Sequence, residues 1–191
     1  VAILAALRER DRSGVGRHLD VSMTDGALGL LHLHLASLWA GAEVGRGMGP
    51  LSGAFPCYGL YRTADGRQMA LAALEPKFWE AFCAAVERPD LAHRAFDRAA
   101  RAEVEAIFAA RRFDAWIELA RTTDCCLEPV QEGDEVERDP HFLARGRFFE
   151  LADERLPGGR LRALRTPLQP DGVDARPAPA LGAHTREELE R

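Results

Sequence analysis

Lysine is almost missing from this 191-residue chain: of 25 basic side chains, Lys77 is the sole lysine and the rest are arginine. The imbalance reads first as base composition of the coding DNA and only second as phosphate recognition. Excess positive charge is missing too. A net charge of −5 and a pI near 5.7 supply no electrostatic footprint for nucleic acid or for an acidic membrane surface, and neither is expected as a partner. No apolar run approaches the roughly 20 residues that cross a bilayer. Cysteine is scarce: Cys57, Cys83, Cys125 and Cys126 follow neither CxxC spacing nor a secreted disulfide framework, so reduced thiols and a cytoplasmic location are expected. An initiator Met, a helix cap and a signal-peptide charge pattern are all lacking where Val1 opens into Ala2-Ile3-Leu4-Ala5-Ala6-Leu7. This start predicts a chain cut in mid-element. Internal repeats are absent. What remains, 47% hydrophobic and 29% charged residues, is the make-up of a globular protein.

The most informative stretch runs from Phe55 to Trp79. Two short runs of β-branched, aromatic and aliphatic residues flank Ala64-Asp65-Gly66-Arg67, where Asp-Gly supplies the positive φ of a tight hairpin. The second strand, about Gln68 to Leu74, stops at Glu75-Pro76. Proline suits the first helical position, where its missing N–H costs nothing. Glu75 therefore becomes the N-cap, a place where shorter Ser, Thr, Asp or Asn reach the first backbone donors better. A carboxylate retained there points to a task other than capping.

Elsewhere the pattern predicts an opening helix, a turn at Ser13-Gly14-Val15-Gly16, and a short strand from His18 to Ser22. Ser22-Met23-Thr24-Asp25 has the form of a capping box ahead of a helix from Gly26 to Ala40. A glycine-rich connector follows, Gly41 to Gly53. Helices are expected over about 76–86, 99–110 and 113–121, a strand over 125–130, and a short helix over 132–138 stopped by Asp139-Pro140. Phe148–Leu151 and Leu161–Leu164 predict a second strand pair across Pro157-Gly158-Gly159. After a proline-rich tail, Thr185-Arg186-Glu187-Glu188 reads as a capping box that starts a terminal helix.

Six segments, taken in order, resemble the class III CoA-transferase family, also called CaiB/BaiF, which includes the α-methylacyl-CoA racemases. They are Gly14-Val15-Gly16-Arg17-His18-Leu19-Asp20-Val21-Ser22 leading to Asp25; Gly53 to Tyr58; Tyr61 to Arg67; Ala73-Leu74-Glu75-Pro76-Lys77-Phe78-Trp79; Asp139-Pro140-His141-Phe142-Leu143-Ala144-Arg145-Gly146; and Pro179 to Thr185. The Glu-Pro-x-Phe-Trp form looks more like the racemase branch. Family members run to roughly twice this length, and the chain resembles their C-terminal half. The resemblance implies an α/β fold, with residues 1–52 as the end of a Rossmann-like large domain and its linker helix. It makes 53–138 a small α+β domain, and 139–191 a return linker with the closing part of the large domain. The principal catalytic groups of the family lie in the N-terminal half and have no counterpart here.

The implied chemistry is racemisation at the carbon next to a thioester, which needs a base, an acid and donors for the enolate oxygen. The alternative implied by the family is transfer of CoA from an acyl-CoA to a free carboxylic acid, through carboxylate attack on the thioester. A third reading is a noncatalytic dimerisation or lid module acting with a separate N-terminal subunit. In the racemase-like reading Glu75 is a supporting catalytic residue beside a catalytic His. Asp25 matches an aspartate of the active-site region, although capping at N3 also accounts for it; Tyr58 is a candidate substrate contact, although core or cross-strand packing is the plainer reading for it and for Tyr61. The resemblance implies acyl-CoA as substrate, no permanently bound cofactor, and an interlocked homodimer of the full-length protein; the fragment alone is expected to be inactive.

Other polar residues have plainer readings. His32 and His34, two apart on a helix, point to different faces, so no metal site is expected. His141 and His184 follow turns and read as local hydrogen-bonding groups. Cys125 and Cys126 read as small buried apolar residues. Arg155-Leu156-Pro157-Gly158-Gly159-Arg160 reads as a solvated hairpin tip rather than a phosphate site.

Overall fold

The computed structural model describes residues 1–42, 44–47, 49–166 and 175–190. Two compact units divide the chain, Val1–Val130 and Gln131–Arg191.

The first unit begins with helix α1 (Ala2–Ser13), which ends where Gly14 turns left-handed at φ 70° and its amide donates to the Arg10 carbonyl. Residues 18–22 form no strand and pair with no neighbour, because a ladder needs a partner that local pattern does not specify. The Ser22 hydroxyl accepts from the Asp25 amide at 3.2 Å and caps α2 (Met23–Leu30). The helix expected through Ala40 breaks at Leu31 (φ −87°, ψ −2°), and α3 (His32–Trp39) follows. None of these three helices buries a side chain; Ile3, Leu4, Leu30 and Trp39 are among the exposed apolar residues.

The core of this unit lies within residues 55–127. Strands β1 (Tyr58–Arg62) and β2 (Gln68–Ala72) pair antiparallel, Tyr58 opposite Ala72 and Tyr61 opposite Met69. Of the two turn residues at the hairpin tip, only Gly66 takes a positive φ, 83°. The Asp65 carboxylate instead accepts from the Thr63 hydroxyl at 2.6 Å and from the Phe113 amide at 3.0 Å, tying the tip to the start of the distant helix that begins at Phe113. Strand β3 (Leu127–Pro129) joins the far edge of β2. Alternation decides which face is covered: Tyr61, Met69 and Leu71 point inward and are buried.

Against that face lie α4 (Pro76–Ala85), α5 (Arg101–Ala109) and α6 (Phe113–Thr122), with 3-10 turns at Pro89–Arg94 and Arg98–Ala100. Phe108 sits at the centre, its ring 4.5 Å from Tyr61, 4.3 Å from Trp116 and 5.6 Å from Phe82. Polar tips inside this stack are satisfied. The Tyr61 hydroxyl donates to the Pro56 carbonyl at 2.7 Å, Trp79 Nε1 to Leu91 at 2.9 Å, and Trp116 Nε1 to Phe108 at 3.1 Å.

The second unit opens with α7 (Gly133–Val136), whose Glu132 and Glu135 form a reciprocal capping box. Asp139-Pro140 ends that segment and also starts another helix. The Asp139 carboxylate accepts from the His141 and Phe142 amides, capping α8 (Pro140–Ala144), with proline at its first position. Strands β4 (Phe148–Ala152) and β5 (Arg160–Leu164) pair across the glycine turn as expected, with Gly158 and Gly159 both at positive φ. At that tip Arg155 is bound bidentately by Asp153, and Arg160 pairs with Glu150. Helix α9 (Thr185–Leu189) starts one residue earlier than expected: His184 is the N-cap and Thr185 is already helical, so no side chain caps it. The proline-rich stretch 167–174 lies outside the described residues.

Candidate functional site

Glu75 is delivered to the start of α4 by backbone geometry alone. β2 ends at Ala72, the Ala73 amide donates to the Cys57 carbonyl at 2.9 Å, and the chain reaches Glu75 in extended conformation (φ −76°, ψ 136°). Pro76 then opens the helix, and the Glu75 carbonyl accepts from the Phe78 and Trp79 amides. The carboxylate takes no part in this. It is exposed, forms no side-chain cap, and among the described residues engages in no hydrogen bond or ion pair. The first turn of α4 is therefore held by buried Trp79, while the carboxylate stays available.

The charge of this carboxylate is felt at Cys126. Unlike Cys57, Cys83 and Cys125, it is only half-buried, and it adopts φ 53°, a conformation uncommon outside glycine. The reading of both vicinal cysteines as buried apolar residues thus holds for Cys125 alone. The twist at Cys126 lets its carbonyl accept from the Ala72 amide at 2.9 Å, which locks the start of β3 beside the end of β2. Its thiol is raised above the usual range first by burial and then by the Glu75 carboxylate, with Lys77 opposing. Nothing in the local sequence marked Cys126, since its position depends on a strand pairing across more than fifty residues.

Tyr58 and Tyr61 part company. Two residues that far apart on a strand face opposite sides. Tyr61 is in the core, its hydroxyl pushed up to about 12 by burial. Tyr58 is half-buried on the outer face, opposite Ala72. There it borders a groove of about 340 Å³ with Ser52, Gly53, Leu60, Ala70 and Ala72. Small side chains at 70 and 72 keep this groove open.

Asp25 stands apart from both. It is exposed on α2, and no hydrogen bond or ion pair of the described residues joins it to Glu75 or Tyr58. Among the described residues no group of three or more His, Cys, Asp or Glu is placed to hold a metal ion, and no helix is long and apolar enough to cross a membrane.

Two small antiparallel sheets, one of them backed by helices, with a carboxylate left free at a strand-to-helix junction, define a mixed α/β chain. It belongs to CoA-transferase family III, whose sequence profile it matches over residues 1–185. The chain is 31% identical over 200 aligned positions to alpha-methylacyl-CoA racemase from Homo sapiens, covering 100% of this chain and 51% of that protein. It is 29% identical to succinyl-CoA:mesaconate CoA-transferase from Haloarcula marismortui, covering 100% of this chain and 50% of that one. The crystal structure of a mutant of Rv3272 from Mycobacterium tuberculosis superposes with a TM-score of 0.73 at 26% identity, covering 100% of this chain and 51% of that one. The chain thus spans about half the length of the relatives it matches.

Proposed function

We propose that the intact protein containing this chain is an acyl-CoA-processing enzyme that moves a proton at the thioester α-carbon, as a racemase. The observation that carries this reading is the 31% identity to an alpha-methylacyl-CoA racemase across the whole chain. Glu75 acts in support, orienting or tuning a catalytic base supplied by the rest of the protein; its exposed, unbonded carboxylate on a rigid helix start favours that role. Tyr58 contacts substrate along the groove beside β1. Asp25 contributes only where the rest of the protein brings α2 to the same cleft. CoA enters as the thioester substrate and no cofactor is held permanently.

In this reading residues 53–138 form the small domain, flanked by linkers and parts of a large domain at 1–52 and 139–191. The protein acts in the cytoplasm as an interlocked homodimer, which would cover apolar side chains now exposed on α1, α2 and α3. CoA transfer to a free carboxylic acid is the second reading, favoured by the 29% identity to a CoA-transferase over the same span. One experiment separates the two: the intact protein is incubated with a 2-methylacyl-CoA in D2O, with and without a free acid. Deuterium at the α-carbon without acid supports the racemase; CoA appearing on the acid, with the α-proton retained, refutes it.

A further inference from the structure

Arg101, at the start of α5, commits every edge of its guanidinium to other parts of the unit. Nη1 donates to the Gly53 carbonyl at 2.5 Å, Nη2 to the Leu60 carbonyl at 3.4 Å, and Nε to Glu105 at 2.9 Å. Its Cζ lies 4.9 Å from the centre of the Tyr61 ring. The room for it is made by Gly59: a Cβ built there would stand 2.8 Å from Nη1 and 3.3 Å from Nη2. Glycine on a strand interior marks such a close approach. The two residues form one device, an arginine seated on a glycine.

What the device holds is the wall of the groove. Gly53 takes φ 88°, where only glycine is at ease, and Gly53 and Ser52 face Tyr58 across the opening. After Gly53 the chain is pinned at Phe55, whose carbonyl accepts from the Tyr58 amide, at Pro56, which accepts from Tyr61, and at Cys57, which accepts from Ala73. Arg101 extends this series of anchors to Gly53. The geometry points to Arg101 as a positioning residue for substrate binding: seated on Gly59, it ties Gly53 to β1 and thereby sets the spacing between residues 52–53 and Tyr58. This rests on the reading of Tyr58 as a substrate contact. Arg101 acts through Gly53 and β1, each of its three nitrogens donating to the protein.

The test uses the intact protein with an acyl-CoA substrate and compares Arg101→Ala, Arg101→Lys, Gly59→Ala and the double variant of Gly59→Ala with Arg101→Ala. Loss of wall geometry raises KM at least about fivefold in Arg101→Ala while kcat stays within about twofold, because binding rather than chemistry is disturbed. Lysine does not rescue, since one ammonium cannot reproduce a planar fork that reaches two carbonyls and a carboxylate. Gly59→Ala, which keeps every donor and only unseats the guanidinium, raises KM similarly, and the double variant is no worse than either single one. Amide exchange at residues 51–55 quickens in all these variants. Unchanged exchange in Arg101→Ala refutes the tether. Quickened exchange with unchanged KM, or additive effects of the two substitutions, refutes the positioning role and leaves a structural brace. A wild-type protein inert toward acyl-CoA in both reactions instead removes the proposed function and the positioning role with it, an outcome seen before any variant is made.

Discussion

Replacing Trp79 by Phe tests how the strand-to-helix junction is held. Trp79 is 1% exposed, stands one turn into α4 from Glu75, and is the first buried side chain of that helix. Its indole N–H donates at 2.9 Å to the carbonyl of Leu91, a fully buried residue. Phenylalanine keeps much of the ring contact with Phe82, 5.5 Å away, but leaves that carbonyl without its partner. An orphaned buried acceptor costs about 1–3 kcal/mol, and the smaller ring adds a packing loss of about 1 kcal/mol. The expected total is about 2–4 kcal/mol, which for a chain of this size lowers the melting midpoint by roughly 5–15 °C. Trp79→Ala loses the ring as well and should cost at least about 3–5 kcal/mol. Urea unfolding followed by circular dichroism, with both variants measured beside the wild type, reads these values. A Trp79→Phe midpoint indistinguishable from wild type would show that water satisfies Leu91, and the junction would then not depend on this bond.

Glu75→Gln in the intact protein should lower turnover at least about tenfold, or about 1.4 kcal/mol in the barrier, with the urea midpoint unchanged because the carboxylate bonds to nothing; wild-type turnover would remove Glu75 from the site. Thiol titration with an aromatic disulfide should label Cys126 in the native protein and reach Cys57, Cys83 and Cys125 only on unfolding, since those three are buried; four equally fast thiols would contradict the burial. Alkali provides a further test through the same thiols. Burial pushes Cys83 and Cys125 up to about 11, so the unfolded chain releases these protons first and stability should fall as pH rises from about 9 toward 11. Replacing Cys83 with Ala should flatten that slope, and an unchanged slope would remove Cys83 from its origin.

Local chemistry was legible wherever a motif contains its own partners. Asp-Gly made a hairpin turn, Glu75-Pro76 opened a helix, Ser22 capped α2, and the Pro157-Gly158-Gly159 turn joined two strands, because in each case the deciding groups lie within a few residues. Errors fell where neighbours in space decide. Residues 18–22 have the composition of a strand but no partner, and the break at Leu31 falls two residues after Gly29, at neither a glycine nor a proline. Thr185 lost the cap position to His184 because the backbone turns helical one residue earlier than the motif predicts.

Sequence by itself determined the family, the hairpin, and the carboxylate at its exit, since order and spacing of short motifs survive without coordinates. Only tertiary structure decided which tyrosine is core and which borders a groove, that Cys126 feels the charge of Glu75, and that Arg101 is seated on Gly59. Those outcomes depend on strand register and on helix α5 packing against β1, which bring together residues about forty to sixty positions apart in the chain.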